Sequence, residues 1–513
     1  MLKPTPRNII LPPGDLPADA FREHVHRVAG WVADYRETIA ARRITPVVRP
    51  GEIAARFSAE PPAAGVSIEE ILDQIDTAIM PGIVQWGHPA FLGYFGSTSN
   101  GPALLGEIVA AALNVSAMTW QTSPAATELE TVVLGWIRQM VGLPETFTGV
   151  LYDTASIGIL HALAAARERC GVDVRAHGIA GRTDVPVHRV YASDQAHSSI
   201  EKAMVVLGLG EANVVRIPSD AAFRLDVVAL RTAILEDQAA GYRPMAVIAT
   251  VGTTSTASVD PVCEIADVCR ELGVWLHVDA AYGGALAILP EGRWAMAGAE
   301  GADSVIVNPH KWMFVPLDFS VLFMRRPELL RTVFALTPEY LRGDAGAGDI
   351  NYMDYGIQLG RRFRALKAWM AFSAFGRDGI AARIREHCRL AQQWARWVEA
   401  DDRFVLAAPV LMGVVCFRFA PAGREGVACD RLNQRIVESI NRSGLAYLTH
   451  TEVDRRVVMR VGIGNILTTE QQLERVWAEI VTAAGVVSSS GGGYGDHGTT
   501  STRSHGDTDF KNN

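Results

Sequence analysis

Cysteine is scarce: six residues in 513, with no C-x-x-C pair among Cys170, Cys263, Cys269, Cys388, Cys416 and Cys429. That spacing argues against a disulfide framework or a zinc knuckle and fits thiols in a reducing compartment. Long apolar runs are missing too. The greasiest stretch, residues 103–118, is broken by Glu107 and Asn114, so no membrane span is expected. Neither sign of charge dominates. The 48 Lys and Arg stand against 56 Asp and Glu, a net charge of −8, which supplies no basic stripe for a nucleic-acid backbone. The first residues hold no apolar core of a secretory signal, so a cytoplasmic location is expected. Neither G-x-x-x-x-G-K-[ST] nor H-E-x-x-H occurs, and no apparent strand runs into G-x-G-x-x-G. Nucleoside triphosphate, zincin and dinucleotide chemistry therefore lack their motifs.

What is present is an ordinary globular composition, 49% hydrophobic and 20% charged, in a chain too long for one core. Residues 1–18 are proline-rich. Phe21, Val25, Val28, Val32, Tyr35 and Ile39 follow at alternating steps of four and three, which predicts a helix with one apolar stripe. Either a partner subunit or the rest of the chain covers that stripe. Residues 40–56 read as a linker, and a second helix starts after Ser67 with Glu69 and Glu70 in its first turn. From Trp86 to Arg325 short β-branched runs alternate with helical stretches. Strands are predicted at 188–192, 246–250, 274–279, 304–307 and 321–324. This is an α/β pattern with a mostly parallel sheet, in which ligands sit beyond the carboxyl ends of the strands. Residues 326–352 read as one long connection with Gly343, Gly346 and Gly348. A helix from Gln358 to about Ala400, strands near Val405, Val414 and Val457, and a closing helix at 468–484 make a smaller α+β domain. The organisation expected is thus 1–85, helical and dimerising; 86–375, the large α/β domain; 376–486, the small α+β domain; and 487–513, a disordered tail. The tail's His497 and His505 are not expected to form a metal site.

Polar clusters follow the strands. Lys311 stands in Asn308-Pro309-His310-Lys311-Trp312 just after one of them. Burial there would disfavour its cation and leave the neutral amine that attacks carbonyls. A surface lysine in a turn fits that stretch equally well. Asp279 ends the strand Trp275-Leu276-His277-Val278-Asp279 before Ala280-Ala281-Tyr282-Gly283-Gly284. A carboxylate so placed can keep a pyridine nitrogen protonated, though N-capping aspartates are common. Thr154-Ala155-Ser156 opens a helical run and could seat a phosphate or simply cap the helix. His197, in Asp194-Gln195-Ala196-His197-Ser198-Ser199, offers a flat ring. Gly252-Thr253-Thr254 adds another polar turn. Five such clusters at five strand ends point to a lysine-dependent, phosphate-bearing cofactor.

With these motifs, the chain resembles the fold-type I, pyridoxal-phosphate-dependent group II decarboxylases, and most of all the aromatic-L-amino-acid decarboxylase family. The resemblance runs from about Phe21 to Ala484 and includes Thr119–Thr131 and Gln358-Leu359-Gly360-Arg361-Arg362-Phe363-Arg364. It implies pyridoxal 5'-phosphate (PLP) held covalently by Lys311, with Asp279 on the ring nitrogen and His197 stacked on the ring. It implies Thr154, Ala155, Ser156 and Asn308 at the phosphate, Thr254 and Ala281 beside the ring, and His310 at cofactor and substrate. Trp86, Tyr94 and Phe95 match the wall around an aromatic side chain. Tyr340 matches the tyrosine of a mobile catalytic loop that protonates the substrate carbon. The implied assembly is a homodimer with active sites at the subunit interface. The implied reaction takes an aromatic amino acid (tryptophan, 5-hydroxytryptophan, tyrosine or dihydroxyphenylalanine) to its amine and CO2.

Some positions depart from the pattern of well-known animal members. Gly96 stands for a proline, Asp153 for a glycine and Ile157 for a glutamate, which bears on pocket shape. Gly360, where plant members preferring phenolic substrates carry serine, leaves room for an indole. Two other activities compete. Aldehyde synthases of the family carry phenylalanine at the position of Tyr340. Glutamate or other acidic-amino-acid decarboxylases would not be rewarded by a flat apolar wall.

Overall fold

The structure, a computed structural model, describes residues 15–336 and 350–489. Tyr340, the glycines of the long connection and the tail from residue 490 lie outside the described residues.

Seven strands form the large sheet: β1 (Thr148–Tyr152), β2 (His188–Ser193), β3 (Val214–Ile217), β4 (Arg243–Thr250), β5 (Trp275–Asp279), β6 (Ser304–Val307) and β7 (Ser320–Met324). Their order is β1-β7-β6-β5-β4-β2-β3. Pairs β2–β3, β2–β4, β4–β5 and β5–β6 are parallel. β7 runs antiparallel to both β6 and β1, because only residues 308–319 join β6 to β7 and no crossover helix fits there. β3 is absent from the strands expected above. It carries Arg216 on a half-exposed edge, so no continuous apolar run announces it.

At the N-terminus, α1 (Ala18–Thr38) is the striped helix. Its own chain covers only the end of the stripe. Ile39 is buried and Tyr35 Oη donates to Gln85 Oε1 at 2.7 Å, whereas Phe21, Val25 and Val28 stay 57%, 42% and 41% exposed. α2 (Ile68–Gln74) is capped by Ser67, whose hydroxyl accepts the Glu70 N–H at 3.2 Å. The stretch between them is no free linker. Ile44 is fully buried, its N–H donates to Gly444 O at 3.0 Å and its carbonyl accepts the Gln85 N–H at 2.9 Å. α3 (Gly101–Leu113), α4 (Pro124–Val141) and α5 (Ala155–Arg169) lead into and away from β1. The 326–352 connection is not wholly irregular either, since Glu328–Phe334 is helical.

α6 (Ala365–Glu399) runs from one sheet to the other and kinks at Gly376, where φ is 64°. The small sheet is antiparallel, in the order β10-β11-β9-β8, from β8 (Phe404–Leu406), β9 (Val414–Phe419), β10 (Thr449–Val453) and β11 (Arg456–Gly462). β10 alternates polar residues and left no apolar signal. α7 (Gly426–Ser443) and α8 (Glu470–Ser489) complete the unit. α8 thus continues past Val486, so residues 487–489, assigned above to the tail, are helical.

One buried ion pair locks the large domain. Arg361 donates to Glu130 through both Nη atoms, at 2.6 and 3.0 Å, and to the carbonyls of Ala117 and Leu151 at 3.0 and 2.9 Å. Both side chains are buried. Arg361→Met strands the Glu130 charge and is expected to lower stability by about 3–5 kcal/mol, measured by urea unfolding. A loss below about 1 kcal/mol would show that Glu130 finds other partners.

Candidate active site

The site is built at the carboxyl ends of β2, β4, β5 and β6. β5 ends in Asp279, whose Oδ1 accepts the Ala281 N–H at 3.1 Å and whose carbonyl accepts the Val251 N–H at 2.8 Å. The turns after β4 and β5 then pack backbone on backbone. At Gly252 (φ +89°) a Cβ would stand 3.0 Å from Gly283 N, and at Gly283 one would stand 2.5 Å from Val251 O. Glycine at both positions therefore brings the hydroxyl turn against the carboxylate turn.

β6 leads into Asn308, whose Oδ1 accepts the Ser320 hydroxyl, and then into one helical turn, Pro309–Trp312. Lys311 on that turn is half-buried, with its Nζ 4.9 Å from the Phe95 ring centroid. Burial holds its ammonium below the usual lysine range; Asp279 pulls the other way and Arg460 reinforces the shift. Phe95 stacks on Tyr282 at 4.0 Å and Tyr282 on Trp312 at 4.8 Å. This column of rings backs the lysine. His310 accepts the Phe319 N–H at Nδ1, at 3.0 Å. Burial, helped by Lys311, pushes it down to about 3. It is therefore a neutral imidazole with its proton on Nε2.

His197 follows β2. Its Nδ1 accepts the Ser199 N–H at 3.1 Å, which fixes the ring and leaves Nε2 to carry the proton. Burial lowers its pKa, with Asp279 opposing and Lys311 assisting. At the end of β1 the chain turns through Thr154 into α5, and no side chain caps that helix. Its first-turn N–H groups remain available to an anion.

Thr154, Ala155, Ser156, His197 and Thr254 line one cavity of about 200 Å3, and Asp279, Ala281, Asn308, His310 and Lys311 line the same one. Five strand ends that are scattered in sequence thus meet. This cavity shares Phe95, His197, Thr254, His310 and Lys311 with a larger cavity of about 1120 Å3, which Trp86 and Tyr94 also wall. Trp86 stacks on Tyr94 with centroids 5.6 Å apart. Tyr340 lies outside the described residues and is not located.

The structure adds residues that the motifs did not indicate. Arg460 on β11 is buried, donates to Tyr94 O at 2.6 Å and lies over the Phe95 ring at 4.8 Å. It holds Tyr94 in a left-handed backbone conformation, φ 55°. Tyr447, before β10, brings its hydroxyl 3.2 Å from that of Tyr94. A charge inside the buried run Val457–Gly462 was the one sequence sign of Arg460.

A half-buried lysine with a disfavoured cation, a carboxylate at a strand end and an uncapped helix N-terminus share one cavity. That donor set fits a phosphorylated pyridine aldehyde. Residues 50–420 match the pyridoxal-dependent decarboxylase conserved domain. The chain belongs to the pyridoxal-dependent decarboxylase family. Among its relatives is the aromatic-L-amino-acid decarboxylase of Bos taurus, 37% identical over 482 residues, covering 92% of this chain and 97% of that one. Another is the phenylacetaldehyde synthase of Arabidopsis thaliana, 34% identical over 478 residues, covering 91% and 96%. Among solved structures, the Oryza sativa TDC with PLP and tryptamine superposes with a TM-score of 0.88 at 34% identity, covering 92% of this chain and 99% of that one. This decarboxylase is therefore a PLP-dependent carboxy-lyase with an α/β fold. Among the described residues no helix is long and apolar enough to cross a membrane.

Proposed function

We propose that the chain decarboxylates an aromatic L-amino acid to the corresponding amine and CO2, as a homodimer. The observation that carries this reading is the apolar wall of Trp86, Tyr94 and Phe95 beside Lys311. Flat rings reward a flat side chain by burial and stacking. The exposed Phe21, Val25 and Val28 of α1 support an assembly of two chains.

Lys311 offers a neutral amine to the cofactor aldehyde, because burial disfavours its charged form. Thr154, Ala155 and Ser156 would hold the phosphate with Asn308, and Thr254 and Ala281 would border the ring. Asp279 would keep a proton on the ring nitrogen. PLP, when bound, supplies the electron sink for the bond to the departing carboxylate. His197 and His310, both neutral, present N–H groups without adding positive charge that would hold the carboxylate back. Tyr340 returns a proton to the reacting carbon.

A second reading, an acidic substrate, draws on Arg460, whose buried Nη2 has no hydrogen-bond partner among the described residues. The aromatic wall outweighs it, since three rings do not compensate the desolvation of a second carboxylate. A third reading, aldehyde synthesis, conflicts with the tyrosine at position 340.

The test is amine and CO2 release by purified protein with PLP, with peroxide followed in parallel. The substrates are tryptophan, 5-hydroxytryptophan, tyrosine, dihydroxyphenylalanine, phenylalanine, histidine and glutamate. Amine from an aromatic substrate without peroxide is expected. Turnover of glutamate alone would overturn the aromatic reading, and aldehyde with peroxide would overturn plain decarboxylation. In the same assay, Tyr340→Phe is expected to cut amine formation by roughly a hundredfold or more and to yield aldehyde. A variant that still makes amine at the wild-type rate would remove Tyr340 from the proton step.

A further inference from the structure

The residue leading into the phosphate seat is itself an anion. Asp153 Oδ1 accepts the Thr154 backbone N–H at 2.7 Å and lies 3.5 Å from Thr154 Oγ1, which donates to it. Both are donors that the reading above assigns to the phosphate. The other oxygen, Oδ2, accepts from Gln358 Nε2 at 3.3 Å.

Asp153 is held in this position. Around it, the end of β1 is tied to residues 355–361 by two further bonds. Tyr152 Oη donates to Tyr355 O, and Arg361 donates to Leu151 O at 2.9 Å. With its backbone clamped on this side and Gln358 on its second oxygen, the carboxylate cannot swing away without losing partners. A helix N-terminus favours any anion through the same free N–H groups and the same dipole. Two anions at one N-terminus share those donors and repel each other.

We propose that Asp153 is a built-in competitor for the cofactor's phosphate. It lowers this chain's affinity for PLP by occupying donors of Thr154 and by placing a like charge beside the seat. The inference rests on the phosphate being placed at Thr154–Ser156. It is independent of which amino acid is the substrate. Its consequence is a holoenzyme that exchanges its cofactor with solution more readily than the Lys311 linkage alone would suggest. Because the repulsion acts at a half-exposed site, salt should weaken it.

The experiment titrates the full-length chain, stripped of cofactor, with PLP and separately with pyridoxal, which lacks the phosphate. The absorbance of the Lys311 adduct reports binding, in wild type and in the Asp153→Asn, Asp153→Ala and Thr154→Val variants. Asp153→Asn is expected to bind PLP about tenfold more tightly, with a gap that narrows at high salt. Asp153→Ala should bind at least as tightly as Asp153→Asn. Neither variant should alter pyridoxal affinity. Thr154→Val should weaken PLP binding alone. Unchanged or weaker PLP binding in Asp153→Asn overturns the inference and makes Asp153 an organiser of the seat. An effect of equal size on pyridoxal overturns it as well. If Thr154→Val leaves PLP affinity unaltered, the phosphate sits elsewhere, and the inference falls together with that placement. Should Asp153→Ala melt early without cofactor, the isosteric Asp153→Asn carries the comparison by itself.

Discussion

Lys311→Ala is expected to abolish the covalent adduct and to reduce turnover by about a thousandfold or more. The chain has only five lysines: Lys3, Lys202, Lys311, Lys367 and Lys511. Lys367 is the most deeply buried lysine among the described residues, and its Nζ lies 2.6 Å from Glu107 Oε1. An amine committed to a carboxylate is a poor nucleophile. Lys311 instead lines the cavity, where burial and Arg460 both favour its neutral form. Borohydride treatment of wild type with PLP should fix the cofactor on the peptide containing Lys311, and the variant should show no fixed cofactor. Adduct formation in wild type should speed up with rising pH, to a plateau with its midpoint below the ordinary lysine value. Cofactor fixed on Lys367 or Lys202 in the variant, with turnover retained, would remove Lys311 from its role.

Asp279→Asn is expected to leave PLP bound yet to lower turnover by roughly a hundredfold to a thousandfold. Asp279 is nine-tenths buried, and its Oδ1 is anchored by the Ala281 N–H. An asparagine fits the same space but carries no charge to stabilise a protonated ring nitrogen. Two further readouts separate this from simple misfolding. Asp279 raises the pKa of both Lys311 and His197, so its removal should move the pH profile of adduct formation to lower pH. A cofactor analogue methylated on the ring nitrogen, cationic without needing a proton partner, should restore part of the lost turnover. A variant that matches wild type in rate would show that the ring nitrogen is not held by Asp279.

Much of the core was legible because buried strands are short apolar runs and helices carry stripes. β6 and β5 fell where Val305-Ile306-Val307 and Trp275-Leu276 predicted them, with Asp279 ending β5 and the turn that bears Lys311 following β6. β3 and β10 were hidden for the same physical reason. An edge strand with Arg216 half-exposed, and a strand alternating Thr449, His450, Thr451 and Glu452, do not need apolar residues on both faces. The linker expected at 40–56 showed only its polar majority; Ile44, a single buried anchor, has no periodicity to detect.

By itself, the sequence determined the class of chemistry. A lysine and a carboxylate at strand ends, with hydroxyls at a helix start, are local patterns, and local patterns survive in one dimension. Tertiary structure alone decided how those groups act on one another. Lys311 is a weakened base because strands drawn from residues 148–324 bury it, and Phe95 and Arg460 approach it from outside the large sheet. His310 is neutral because the chain entering β7 folds back and buries it beside Lys311. Asp153 meets Thr154 as its chain neighbour, but it meets Gln358, 205 positions away, only through the fold that brings residues 355–361 against the end of β1. Burial and charge proximity are properties of the packed chain, and no spacing along the sequence encodes them.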